Sequence, residues 1–199
     1  MSTDSRHNEA TRWFEPLYAG AEGQLEGVPW ASGSPCPWVS DDLERHPASG
    51  RAIVVGCGLG DDAEALSAAG YQVVAFDVSP TAVQWCRDRF ADSRVDYRVG
   101  DLFDLPADLI AGGDLVVEVR TIQALNPSVR AEAVDAVGSL VAPVGRLLLV
   151  ALGRPDHVIP SGPPWAVSDS DLKRLVDSDL VLEEGSVVRG QLVRSYRRS

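Results

Sequence analysis

Gly56, Gly58 and Gly60 stand at GxGxG spacing, and Asp61, Asp62 and Asp77 follow them. Apolar runs at Ala52–Val55 and Gln72–Phe76 bracket the glycines and precede Asp77, so the stretch reads as strand, glycine turn, helix, strand, acid. That unit holds nucleotide-type ligands, and its details select among them. A dinucleotide fingerprint needs its third glycine at position 61, which is Asp61. Pyrophosphate rests on the free N–H groups of a helix N-terminus, and two carboxylates there repel it. They suit a ligand with cationic groups, such as the ammonium and sulfonium of S-adenosylmethionine. Asp77 lies roughly 20 residues past the first glycine, where an acid takes ribose hydroxyls. If the turn binds nothing, Asp61 and Asp62 are acids favoured by the helix dipole.

The elements that must position these residues are legible along the chain. Val95–Val99, Leu115–Val119 and Arg146–Leu152 add to the two strands above, and their near-continuous apolar runs suit a parallel sheet covered on both faces. A helix over Asp61–Ala69 is closed by Gly70. Ser79 and Pro80 open the next, which runs to about Phe90. Pro127 opens another, with Val129, Ala133, Val137 and Leu140 as its apolar stripe. Ser168 and Asp171 have the spacing of a capping box for the last. Leu180–Glu183 and Val187–Arg194 flank Glu184-Gly185-Ser186, read as a hairpin turn. The expected fold is α/β: a Rossmann-like three-layer sandwich with a mostly parallel seven-stranded sheet and one antiparallel strand near the edge. Residues 1–10 are polar and expected to be disordered. Residues 11–199 are expected to form a single domain, with 11–45 an N-terminal lid, aromatic and rich in Gly and Pro from Trp13 to Trp38, and 51–199 a cofactor-binding core.

Bulk properties bound the function. The chain has 199 residues, 45% hydrophobic and 24% charged, which fits one compact domain. A net charge of −11 argues against nucleic acid as a partner. No apolar run approaches the ~20 residues a membrane span needs, and the polar N-terminus does not read as a signal peptide. A cytoplasmic protein, monomeric or weakly dimeric, is expected. Cys36, Cys57 and Cys86 match neither a disulfide framework nor a zinc site, and no metal is expected.

The motifs VVGCGLG, FDVSPTA and GDLFDLP resemble those of class I S-adenosylmethionine-dependent methyltransferases, and the resemblance runs from about residue 11 to the end. Three further segments are similar to the branch containing thiopurine, thiol and halide methyltransferases: Pro29 to Pro37, residues 114–130 with ALNP at Ala124 to Pro127, and SGPPWAVS at 161–168. Ala31 stands where that branch usually has Asp, and Glu118-Val119-Arg120-Thr121 where halide-type members carry aromatics. The resemblance implies that Gly56, Cys57 and Gly58 approach the methionine part of the cofactor, and that Asp77 holds the ribose with Val78 beside the adenine. It places Asp101 and Leu102 at the adenine edge, Val117 and Glu118 next to the sulfonium methyl, and Trp13 and Trp30 in a lid over the cofactor. The alternative for each tryptophan is core packing.

Methyl transfer from a sulfonium needs a nucleophile placed in line and water kept out. A thiol on a small molecule is the expected acceptor, giving S-adenosylhomocysteine as the second product. Arg120 can stabilise its thiolate, unless it pairs with Glu118 or a surface acid. Glu118, Arg120 and Thr121 are therefore the catalytic candidates, and Trp30, Arg120, Thr121, Gln123, His157 and Trp165 the substrate contacts. A phenolic oxygen or heterocyclic nitrogen is the alternative acceptor. A nicotinamide-dependent oxidoreductase is a remote alternative that fails on glycine spacing and on the lack of a Tyr-x-x-x-Lys pair.

Overall fold

The computed structural model describes residues 3–199, with residues 3 and 4 described by backbone only. Seven strands form one sheet in the order β3-β2-β1-β4-β5-β7-β6. They are β1 (Arg51–Val55), β2 (Gln72–Asp77), β3 (Asp96–Val99), β4 (Gly113–Val119), β5 (Val141–Leu152), β6 (Leu180–Val188) and β7 (Gln191–Arg198). Strands β3, β2, β1, β4 and β5 pair in parallel, and β7 runs against both of its neighbours, β5 and β6. The chain therefore has the expected Rossmann-like fold, with β7 as its one antiparallel strand. The strand order reverses between β1 and β4. In open α/β sheets a ligand crevice lies beyond the carboxyl ends of the strands at such a switch point.

Alternation along the strands builds two cores. Ile53, Val55, Val74, Phe76, Val116, Leu147 and Leu149 face one way. They meet Ala133, Val134 and Val137 of helix α6 (Arg130–Ser139) and Leu172 and Leu175 of α7 (Asp169–Asp177). Ala52, Val54, Val73, Ala75, Leu115, Val117 and Leu148 face the other way. Their partners are Val39 of α3 (Pro37–Arg45), Ala63 and Leu66 of α4 (Asp61–Ala69), and Val83 and Cys86 of α5 (Pro80–Arg89). The stripe Val129, Ala133, Val137 and Leu140 is fully buried, as its spacing requires. Ser79 caps α5 by accepting the Ala82 N–H at 3.0 Å, and the Ser168–Asp171 capping box is formed.

Two expectations are corrected. Residues 3–10 are not disordered: they belong to α1 (Thr3–Thr11), whose Arg6 pairs with Glu132 at 3.0 Å and whose His7 stacks on Phe103 at 4.0 Å. The hairpin turn is Arg189-Gly190, with φ of 51° and 79°, and not Glu184-Gly185-Ser186, which lies inside β6. The reason is register. β7 is laid down by β5 from Arg146↔Arg197 to Leu152↔Gln191, and β6 follows β7 to Val188↔Gln191. That leaves two residues to turn, both with positive φ as a tight hairpin prefers. No helix among the described residues is long and apolar enough to cross a membrane.

Candidate active site

At the switch point β1 gives way to the glycine turn. Gly56 and Gly58 have φ of 58° and 53°, in the left-handed region. A Cβ on Gly56 would stand 2.3 Å from Thr121 Oγ1, and one on Gly58 would stand 3.2 Å from Tyr18 Oη. Glycine thus lets the turn lie flat between the β4 loop and the N-terminal segment. Asp77 ends β2 below this turn. Its Oδ2 accepts the Gly58 N–H at 3.0 Å and its Oδ1 the Ser79 N–H at 2.9 Å. Burial pushes its carboxyl up to about 6 against the pull of those two donors. Each oxygen keeps a second lone pair.

The acids of the helix start are partly committed. Asp61 pairs with Arg89 at 2.8 Å. Asp62 accepts the Cys36 N–H at 2.6 Å, and burial raises its carboxyl. Both still line a smaller cavity of ≈ 280 Å³ with Cys57, Gly58 and Arg120. The neighbouring Cys86 thiol, ahead of desolvation, raises the Cys57 thiol well above its usual value, although Cys57 is only partly buried.

The end of β4 supplies the opposite wall. Glu118 is fully buried; its Oε1 accepts the Thr121 N–H at 2.6 Å and the Ile122 N–H at 3.0 Å, while Oε2 has no partner. Burial pushes this carboxyl up to about 7. Arg120 is held at a φ of 67°, with its N–H on Val150 O at 2.8 Å. Among the described residues its guanidinium makes no hydrogen bond or ion pair, and the expected alternative of a Glu118 pair is not formed. Thr121 Oγ1 donates to Val55 O at 3.0 Å. Gln123 carries the Trp165 N–H on its backbone oxygen at 2.7 Å and the Leu152 N–H on its side-chain oxygen.

The N-terminal segment closes the top. In α2 (Phe14–Gly20), Tyr18 Oη accepts the indole N–H of Trp30 at 2.9 Å. Trp13 stacks on Phe14 at 4.1 Å and meets Trp30 edge-on at 5.8 Å. Tyr18, Ala21 and Val28 pack on Leu59 and Ala82, so the segment has a small core of its own. Glu15 ties it to the start of α5, accepting from Ser79 Oγ at 2.5 Å and Thr81 Oγ1 at 2.6 Å.

A cavity of ≈ 520 Å³ lies between these walls. Trp13, Trp30, Gly56, Asp77, Val78, Asp101, Leu102, Arg120, Thr121 and Gln123 all line it. Cys57 and Gly58 line the smaller cavity, which shares Trp30, Gly56 and Arg120 with the larger one. Four expected site residues are placed elsewhere. Val117 is packed in the core on the α3–α4–α5 face, because the strand pleat turns it there. Glu118 points inward to cap the following turn and lines neither cavity. His157 is exposed, and Trp165 lends the site only its backbone. Tyr18, Phe14, Phe103, Pro163 and Pro164 line the cavity without having been singled out. Of these, Phe103 lies in the GDLFDLP motif, Pro163 and Pro164 in the SGPPWAVS segment, and Phe14 and Tyr18 in the aromatic stretch from Trp13 to Trp38.

The chemistry of the walls fits S-adenosylmethionine. A carboxylate with spare lone pairs stands at the end of β2, aromatic faces cover the centre, and two acids border the adjoining cavity. Comparison with known proteins agrees. The family described as thiopurine S-methyltransferase matches residues 28–195. A probable thiol methyltransferase 2 of Arabidopsis thaliana is 28% identical over 197 residues, covering 96% of this chain and 82% of that protein. A ubiquinone biosynthesis O-methyltransferase of Xanthomonas axonopodis pv. citri is 33% identical over 154 residues, covering 73% of this chain and 58% of that protein. The structure of the N-methyltransferase NodS from Bradyrhizobium japonicum WM9 with S-adenosyl-L-homocysteine has a TM-score of 0.70 at 18% identity. It covers 92% of this chain and 98% of its own, and its likeness is one of fold.

Proposed function

The chain belongs to the thiopurine S-methyltransferase family, and on that footing we propose that it methylates the sulfur of a small thiol taken up as its thiolate. S-adenosylmethionine supplies the electrophilic methyl group. In this reading Asp77 would accept the ribose hydroxyls through its spare lone pairs. Phe76, Val78 and Leu102 would flank the base, and the smaller cavity would take the amino-acid end, near Asp62. Trp13 and Trp30 close over the centre, where an indole face attracts a sulfonium and water is excluded.

One observation carries the choice of acceptor: the unpaired guanidinium of Arg120 at the junction of the two cavities. Neither histidine nor lysine lines either cavity. Glu118, the nearest acid in sequence, is turned away under the loop. The wall therefore favours an acceptor that has already lost its proton. A free thiol titrates near pH 8.5, and a cation beside it lowers that value. With the acceptor held as its thiolate beside Arg120, the methyl group that S-adenosylmethionine would supply could pass to sulfur without a side chain having to take a proton. A probable thiol methyltransferase among the relatives supports the reading. A phenolic acceptor is the second reading, favoured by the similarity to the ubiquinone biosynthesis O-methyltransferase. Incubation with S-adenosylmethionine and a panel of small thiols, phenols and amines, read by mass spectrometry, separates the two. Methylated phenols without methylated thiols would replace the first reading by the second.

A further inference from the structure

The acceptor wall holds a second group whose orientation is fixed. Gln123 is only 9% exposed, yet it lines the larger cavity together with Arg120, Thr121, Pro163 and Pro164. Its side-chain oxygen faces the Leu152 N–H. A backbone N–H can only donate, so the amide oxygen must be the atom turned to it, and Nε2 must point the other way. Nε2 has no partner of its own among the described residues. Among the described residues the sealed side-chain atoms without a partner belong to His7, Glu118 and Arg130, so Gln123 Nε2 is not sealed, and the cavity that Gln123 lines is the space beside it. The backbone oxygen of Gln123 is pinned by Trp165 N–H at 2.7 Å. The side-chain amide is therefore held at its oxygen, and the residue at its backbone, before any ligand arrives, and binding against it costs little ordering entropy.

The cavity also divides by polarity. Its acids, Asp77 and Asp101, stand at the ends of β2 and β3. The wall beyond β4 presents the Arg120 guanidinium and the Gln123 amide N–H groups, while the Thr121 proton is spent on Val55 O. The geometry points to Gln123 as a specificity-determining donor: the enzyme prefers thiols with a hydrogen-bond acceptor beside the sulfur over thiols without one. This rests on the thiol reading of the same site. A thiol lacking such an acceptor strands a fixed N–H donor out of water, and sites of that kind reject the incomplete analogue strongly.

Methyl 2-mercaptobenzoate carries an ester carbonyl next to its sulfur, and benzenethiol does not. The test is the ratio of kcat/KM for the first over the second, in the wild type, Gln123→Glu and Gln123→Met, with the ratio of their Kd values for the protein saturated with S-adenosylhomocysteine. Gln123→Glu keeps an oxygen for Leu152 N–H while removing both donors, so it remains informative if the Met variant misfolds. The expected result is a fall of tenfold or more in both ratios for the variants relative to the wild type. Ratios unchanged in Gln123→Glu, with both thiols methylated, overturn the inference and leave the thiol reading standing. If the wild type methylates neither thiol, the thiol reading falls and the inference falls with it.

Discussion

Replacing Asp77 by Asn tests the cofactor site where its physics is most constrained. The carboxyl is 6% exposed and is pushed by burial from 3.8 to about 6. A shift of that size is on the order of 3 kcal/mol against the ionised form in the ligand-free fold. The folded value is raised, so the stability Asp77 contributes is full below about pH 4 and is lost as pH rises through about 6. A ligand that donates hydroxyls to the carboxylate favours the ionised form. Binding below about pH 6 must expel a proton, and wild-type affinity should fall by up to about tenfold per pH unit there. Asn accepts one of the Gly58 and Ser79 N–H groups but turns its own NH2 toward the other, and it carries no charge. Losing a charge-assisted hydrogen bond costs ~1.5–3 kcal/mol, so S-adenosylhomocysteine should bind roughly 10- to 150-fold more weakly at neutral pH. Calorimetric titration of both proteins between about pH 5 and pH 8 is the assay. The mutant profile should be flat where the wild type slopes. Parallel profiles, or equal affinities at neutral pH, would refute the assignment of Asp77 to the ligand.

Other outcomes are expected on the same reasoning. Arg120→Met should depress methylation of alkyl thiols more than of acidic aromatic thiols, with the gap closing as pH approaches the free thiol's pKa. Equal losses for both substrate types at every pH would confine Arg120 to a structural part. Glu15→Gln removes the anion that ties α2 to the start of α5, so hydrogen exchange over residues 11–45 should speed up and S-adenosylhomocysteine should leave about tenfold faster, ~1–2 kcal/mol. Unaltered exchange in that segment would mean that packing on Leu59 and Ala82 holds it alone. Burial raises Glu118 from 4.5 to about 7, so its stabilising contribution is full below about pH 4.5 and is lost as pH rises through about 7. The melting temperature of Glu118→Gln should therefore gain on the wild type across that window, and a constant difference would contradict the burial argument.

What could be read along the chain is what depends on neighbours in sequence. Gly56, Gly58 and Asp77 were legible because a turn with positive φ and an acid at a strand end are local demands on the backbone. The same holds for the caps at Ser79 and Ser168, and for the stripe from Val129 to Leu140. The structure then decided everything that depends on which way a side chain points and what folds over it. Val117 and Glu118 sit beside the site in sequence, yet the pleat and a capping turn take both out of it. Glu184-Gly185-Ser186 and Arg189-Gly190 both look like turns, and only the pairing of β7 with β5 chooses the second. The polar N-terminus becomes a helix because Arg6 and His7 find Glu132 and Phe103, partners more than 90 residues away in the chain. The placing of Gln123 depends on Leu152 at its side-chain oxygen and Trp165 at its backbone oxygen, which approach it only when β4 and β5 align and the loop after β5 returns. Local backbone conformation is written in spacing and residue type. The direction of a functional group is set by contacts between distant segments, and these exist only once the sheet has chosen its register.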